Sequence, residues 1–514
     1  MQPDTPLILS LDIGSSSARA FLFSPSGEML PDSGARQAYQ PQAGEDGSVT
    51  LDPDQLVEIV CGLIDSVLSR AGGQAARIAG VAADTFVTST IGLDASGKPL
   101  TPVLTYADSR SEVDADRLRA RLDEAAFHQR TGTPFHPGYW PARLAWFART
   151  QPGLFARVHR WVTIGEYLAL RWFGQPGISN SAAGWTGLED LRRADWDDRL
   201  LAELPAGRET LSPVIDASQP FHGLRPEFAS RWPSLQKVSW LPAVGDGAAS
   251  NLGSGCISAG QVAVVMGTSS AVRVALEGQV PEIPGGLWCY RIDARRPLLG
   301  GSMNEGGVIY AWAQHFLNLP ASSNLDQALA ALPPDGHGLT FLPLLAGERS
   351  PGYALRAAGA IAGLTQATTA ADLLRAGLES VAVELARIDR ELDRVAPGAE
   401  VVIASGAGLL ADRTWMRMIC DAVGRPLRPG RALEASARGA ALAALAAAGE
   451  APADLGVLDP GAGRALRPDS SPAVRARYSA AMRRQEALYR VLVTGRLLET
   501  ATPAAPAHYV KGSK

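Results

Sequence analysis

Lysine is nearly missing from this chain. Lys98, Lys237, Lys511 and Lys514 are the only four in 514 residues, so arginine carries almost all positive charge and any lysine-dependent step would fall on those positions. Cysteine is as sparse: Cys61, Cys256, Cys289 and Cys420 lie far apart without CxxC spacing. That excludes a sequence-encoded zinc motif and a disulfide framework, and predicts buried thiols. No apolar run reaches about eighteen residues, and no basic stretch precedes the short apolar segment of MQPDTPLILS. Neither a membrane span nor a signal peptide is therefore expected, and a cytoplasmic location is. A net charge of −4 offers no basic field for nucleic acid. The pattern GxxxxGK[ST] is absent, which removes the P-loop route to phosphate.

What is present is a chain long enough for two or three cores, 46% apolar. Leu7–Phe23 (LILSLDIGSSSARAFLF) reads as strand, Gly/Ser turn, strand. Such a hairpin is often a plain turn. It can also present the backbone N–H groups and hydroxyls of Gly14, Ser15, Ser16 and Ser17 to a phosphate, with Asp12 supplying the oxygen that Mg²⁺ prefers. A second copy favours the phosphate reading: Gln261–Leu276 (QVAVVMGTSSAVRVAL) repeats the pattern, with Gly267 and Thr268 in the turn. Two such hairpins opening halves of similar length predict duplicated domains facing each other across a cleft.

Between the hairpins, Asp52 with Pro53 marks the start of an amphipathic helix to Arg70, and Arg77–Ala83 is a buried strand ending at Asp84 and Thr85. Tyr106, Asp108 and Arg110 cluster at the exit of a further hairpin, as ligand contacts or as a salt-bridged helix start. Arg130–Trp146 (RTGTPFHPGYWPARLAW), with Tyr139 and Arg143, is an aromatic loop leading into a helix, suited to a sugar's C–H faces or to its own packing. A helix begins near Thr163, and Asn180–Trp196 reads as a polar loop. In Leu241–Gly255 (LPAVGDGAASNLGSG), Asp246 stands between glycines before a small-residue helix, as a general base or as that helix's cap. Gly300–Trp312, with Gly306, and Glu400–Leu410 (EVVIASGAGLL), with Ser405, Gly406 and Gly408, are Gly-rich entries to helices. Beyond Thr500 the tail reads as mobile.

In collinear order, DIGSSSAR, LDASGKPLTPVLTYADSRS, TGTPFHP, GDGAASNLGSG, GTSSAVR, FLPLLAGERSP and SGAGLLADRTWMRMICDAVGRPL resemble the FGGY carbohydrate kinases. Within that family TGTPFHP, WVTIGEYLALRWFG and GDGAASNLGSG are most similar to gluconokinases. The resemblance implies an α/β fold of two actin-like (ribonuclease H-like) domains, each a mixed sheet flanked by helices, divided as 1–247 and 248–498 with a tail at 499–514. It implies ATP and Mg²⁺ in the cleft and transfer of the γ-phosphate to a hydroxyl of a sugar or sugar acid, D-gluconate first and a xylulose-like pentulose or another polyol or aldonate as alternative. Asp246 would then be the base and Asp12 the metal ligand. Gly14, Ser15, Ser16 and Arg19 would line the phosphates on one side and Gly267 and Thr268 on the other, with Gly306, Ser405, Gly406 and Gly408 around the nucleoside. Asp84, Thr85, Tyr106, Arg110 and Tyr139 would join Asp246 at the sugar. Arg110 and Arg143 are the expected carboxylate donors, or structural ion-pair partners. A homodimer is an option; no membrane or nucleic-acid partner is expected. An actin- or Hsp70-like ATPase would share the hairpins but has no use for TYADSR and TGTPFHP. Three departures bear on the substrate: SPGYALRAAGA differs from the family's RAP-type loop, Ser405 replaces a Gly, and DTFVTST lacks a His common near Asp84.

Overall fold

The computed structural model describes residues 5–317, 319, 329–430, 434–449 and 465–498; the expected mobile tail lies outside them. Strand β1 (Leu7–Ile13) is buried along its whole length. It pairs antiparallel with β2 (Ser17–Phe23) and parallel with β4 (Ile78–Thr85). A strand covered on both faces and both edges has no solvent side to alternate toward, which is why LILSLDI is apolar nearly throughout. With β3 (Ala35–Ala38), β5 (Ser239–Trp240) and β6 (Val244–Gly245) the sheet runs β3–β2–β1–β4–β5, with β6 also on β4. The second half repeats this order. Strands β7 (Gln261–Met266), β8 (Ser270–Ala275), β10 (Pro297–Met303), β11 (Val401–Ser405) and β12 (Leu427–Pro429) form β10–β8–β7–β11–β12, with β9 (Trp288–Arg291) added outside β10. The echoing hairpins are thus the first two strands of two actin-like sheets.

Helix α1 (Pro53–Ala71) starts where Asp52 accepts from the Gln55 N–H at 2.9 Å. Its Leu56, Val60, Ile64 and Val67 recur at helical spacing and lie in the first core. A capping box of Thr163 and Glu166 opens the helix Ile164–Phe173. All four cysteines are buried thiols. One expectation fails: Asn180–Trp196 is not a polar loop. It contains a helix at Asn180–Gly184, and Trp185 and Trp196 are 4% and 1% exposed, because two indoles bury more area than the flanking polar residues can hold in solvent.

The lobes meet on a pair of small-residue helices. Helix α2 (Asp246–Gly253) follows β6 of the first sheet. It packs on α5 (Ala435–Ala447), whose Ala437, Ala440, Leu442 and Leu445 lie against Ile8, Phe23 and Ala82. A Cβ on Gly439 would overlap the Ala249 carbonyl, and one on Gly253 that of Ala435, so only glycine permits this approach. Two further helices, α3 (Gly307–Phe316) and the longer α4 (Ala370–Val395), flank the second sheet. Among the described residues, no helix is long and apolar enough to cross a membrane.

Candidate active site

The carboxyl ends of β1, β4 and β6 set three acids beside one another. Asp12 ends β1 and lies opposite Asp84 in the parallel register, while Asp246 follows Gly245, which pairs with Thr85. Asp84 is fully buried and no donor reaches either oxygen; its neighbour is the Asp12 carboxyl. Burial, and then the Asp12 and Asp246 charges, push its pKa well up. Burial also raises Asp12 to about 6 against the opposing pull of Arg19. A carboxyl that no donor reaches, set beside a second carboxyl, offers the hard oxygen ligands a Mg²⁺ ion takes, so the residues present fit that ion.

Arg19 pairs with Asp12 at 3.1 Å and, across the lobes, with Glu434 at 2.6 Å, so its guanidinium is held beside the turn from Gly14 to Ser17. In that turn Gly14 N–H donates to Ser17 O and Tyr39 hydroxyl to Gly14 O, leaving Ser15 and Ser16 exposed. Opposite, Gly267, Thr268 and Ser269 are exposed in an equivalent turn. The first two N–H groups of this turn's neighbour helix α3, Gly307 and Val308, donate to Gly267 O (2.8 Å) and Thr268 O (3.2 Å). A Cβ on Gly306 would come within 2.6 Å of Ser269 O, and Gly406, at φ 104°, has its Cβ direction blocked by Met266 O. These glycines therefore gather at one end of the second sheet. Ser405 lies in β11 beside Val265, and Gly408 is exposed over open space.

Asp246 occupies the first turn of α2 and accepts from Gly247 N–H at 2.7 Å. Burial raises its pKa, and Arg273 and Arg349 pull it back down. Around it lies an aromatic chamber drawn from both lobes. Tyr106 stacks on His136 with centroids 5.2 Å apart, Tyr139 meets Tyr106 edge-on, and its hydroxyl bonds to that of Tyr290. Tyr290 stacks on Trp185 at 3.6 Å, and Arg349 sits over Tyr106 at 4.3 Å. Four buried polar atoms there have no partner: Tyr106 Oη, His136 Nε2, Trp185 Nε1 and Arg273 Nε. Since Gly138 N–H donates to His136 Nδ1, the proton of the neutral ring sits on Nε2, and burial keeps that ring neutral. All four atoms can donate, which suits an acceptor-rich, hydroxyl-bearing ligand.

Of the sequence-predicted sugar contacts, Asp84, Tyr106 and Tyr139 stand at this end of the sheet or chamber, and Thr85 is buried against Gly165. Arg110 does not face the chamber. It makes a fork with Asp108, with Nη2 to Oδ2 at 2.6 Å, and lies over the Trp146 ring. Arg143 is corrected outright. Fully buried, it donates to the carbonyls of Thr88, Leu104, Thr105 and Pro137 and to Thr90 Oγ1, so all three of its nitrogens are engaged in tying the loop to the sheet. Sequence reasoning missed Arg273, Arg349, His136, Trp185 and Tyr290. GTSSAVR, TGTPFHP and FLPLLAGERSP contained Arg273, His136 and Arg349, but none of the three was given a role.

Two lobes with repeated sheets, paired hydroxyl-rich turns at the mouth of the cleft and an acid beside a polar chamber define a carbohydrate phosphotransferase. The chain belongs to the FGGY family of carbohydrate kinases, whose N-terminal domain model matches residues 7–253 and whose C-terminal domain model matches residues 262–448. It is 27% identical over 461 residues to a gluconokinase of Bacillus subtilis, covering 87% of this chain and 88% of that one. To a xylulose kinase of Klebsiella pneumoniae it is 29% identical over 337 residues, 65% and 68% of the two chains. The fold superposes on gluconate kinase from Lactobacillus acidophilus with a TM-score of 0.89 at 23% identity, covering 96% of this chain and all of that one.

Proposed function

We propose that the chain transfers the γ-phosphate of ATP to a hydroxyl of D-gluconate, with residues 1–247 forming the sugar-side lobe and 248–498 the nucleotide-side lobe. The observation that carries the reading is the set of unpartnered buried donors beside Asp246, together with whole-length likeness to a gluconokinase. Asp246 accepts the proton of the attacking hydroxyl, and its pKa, raised by burial, makes its carboxylate a better base than an exposed Asp. Phosphoryl transfer asks little covalent work of the protein, so position and charge dominate. Asp12 and Asp84 hold Mg²⁺, which when bound neutralises phosphate charge. Gly14, Ser15, Ser16 and Arg19 stand on one side of the phosphates and Gly267 and Thr268 on the other. Gly306, Ser405, Gly406 and Gly408 border the nucleoside. Tyr106, His136 and Trp185 donate to sugar oxygens, and Tyr139 orients Tyr106. Closing the lobes over the chamber excludes water and so favours transfer over hydrolysis.

The likeness to a xylulose kinase supports a pentulose as the second reading. A panel of D-gluconate, D-xylulose and glycerol with ATP and Mg²⁺, followed by ADP release, tests both. Gluconate should give the highest kcat/KM; xylulose outrunning it would replace the aldonate reading, and no stimulation by any sugar or sugar acid would remove the kinase reading altogether.

A further inference from the structure

Two guanidiniums reach the chamber without an anion of their own. Arg273, on β8, is half-buried; its Nη1 reaches only Gly247 O, at 3.5 Å, and its Nε, shut off from solvent, has no acceptor. Arg349, on the loop after the strand Thr340–Leu342, rests on the Tyr106 ring and makes no ion pair among the described residues. They lie near enough to each other that each charge disfavours the other, and Asp246 is the one acid that offsets Arg273. Two cations against one carboxylate leave an uncompensated positive charge in a desolvated place, a costly arrangement unless an anion arrives. The other arginines named above for the site are committed: Arg19 to Asp12 and Glu434, Arg110 to Asp108, and Arg143 to backbone carbonyls.

We infer that Arg273 and Arg349 form a clamp for an anionic oxygen group of the ligand, and that this group is the carboxylate of the sugar acid. The inference rests on the aldonate reading above. Guanidinium forks match a carboxylate bidentately, and the phenol ring beneath Arg349 fixes its plane. Strand β8 and the aromatic floor both come pre-ordered, so little side-chain freedom is lost when the acid binds. The same chemistry could hold the phosphate being transferred, and the experiment separates these two anions.

The probes are D-gluconate and D-gluconamide, which differ in charge at one end and share every hydroxyl. Wild type should prefer gluconate by about 10- to 150-fold in kcat/KM, the range that one charge-assisted hydrogen bond supports. R273Q and R349Q should each collapse that preference toward unity, mostly through a rise in KM for gluconate that exceeds any change with gluconamide. R273K and R349K, which keep the charge but lose the fork, should recover part of the preference. If R273Q and R349Q reduce both probes alike, the arginines serve the transferred phosphate and the carboxylate clamp is wrong, while gluconate remains the substrate. If wild type uses neither probe but phosphorylates xylulose, the aldonate reading falls first and the clamp with it. Thermal melting of each variant guards against misfolding, and a variant that fails to fold leaves its lysine counterpart to decide the ratio.

Discussion

The two lobes share a topology and divide the charges. At the carboxyl end of the first sheet stand Asp12, Asp84 and Asp246; at the cleft face of the second stand Arg273 and Arg349, above a turn of uncharged Gly267, Thr268 and Ser269. One scaffold thus serves two electrostatic purposes. The acidic end suits a divalent cation and a departing proton, and the basic end suits anions. Neither end is self-sufficient, because the Asp246 pKa is raised by burial in its own lobe and lowered by arginines of the other. A site of this kind is completed only when the lobes approach, which couples charge balance to closure.

Removing Asp246, the proposed proton acceptor, should break the comparison most severely. D246N should lower kcat by roughly 10²–10⁴ while nucleotide affinity, measured by equilibrium titration, stays within about threefold. The base works only when ionised, so wild-type kcat/KM should fall as pH drops through its raised pKa. R273Q, by deleting the charge that holds that pKa down, should move the acid limb to higher pH. Near wild-type turnover in D246N would reduce Asp246 to a helix-terminal residue, and an unmoved limb in R273Q would uncouple the lobes.

Much of this division was legible in the amino-acid order, and the reason it was not fully legible is instructive. The hairpins showed because an apolar run, a Gly/Ser turn and a second apolar run leave few alternatives; Asp12 and Asp84 showed because each ends an apolar run, and Asp246 because glycines flank it ahead of a small-residue helix. Arg110 and Arg143 looked alike in sequence. Burial separates them: Arg143 is enclosed by backbone carbonyls of three segments, a contact set that no local pattern encodes. Arg349 meets Tyr106 across 243 positions of chain, and Trp185 meets Tyr290 across 105. Such contacts arise from how distant segments of the two lobes face each other.

The next effect is smaller and of mixed sign. Asp84 is a buried acid whose native pKa lies well above its unfolded value, so the native state keeps a proton that the unfolded state has already lost. Stability from this group is therefore full at low pH and declines as pH rises from the ordinary Asp range through the native value. D84N carries no such proton. Without divalent ions it should melt above wild type at pH 8, by about 1–3 kcal/mol, and the gap should close toward pH 4. Added Mg²⁺ should stabilise wild type and leave D84N nearly unmoved, with the Mg²⁺ concentration for half-maximal activity rising tenfold or more. A D84N protein that melts lower than wild type in metal-free buffer at pH 8 would make Asp84 a structural hydrogen-bonding residue and remove it from the cation site.

The smallest effect belongs to the rim, where the lobes touch through charges that play no part in the chemistry. Arg356 Nε lies 2.8 Å from Glu112 Oε1, with the arginine side chain 43% exposed. At that exposure water screens the pair, and side-chain ordering offsets most of the attraction, so pairs of this kind contribute about 0–1 kcal/mol. E112Q should accordingly change kcat/KM less than about threefold and Tm by less than about 2 °C. The residual difference should vanish between 50 and 500 mM salt as the screening length drops below about 5 Å. The contrast with Arg19 is the point of the measurement: Arg19 also joins the lobes, through Glu434, but it simultaneously contacts Asp12 inside the site. If E112Q slowed turnover as much as loss of Asp246, closure at the rim would govern the rate, and the division of charge between the lobes would be secondary to their contact.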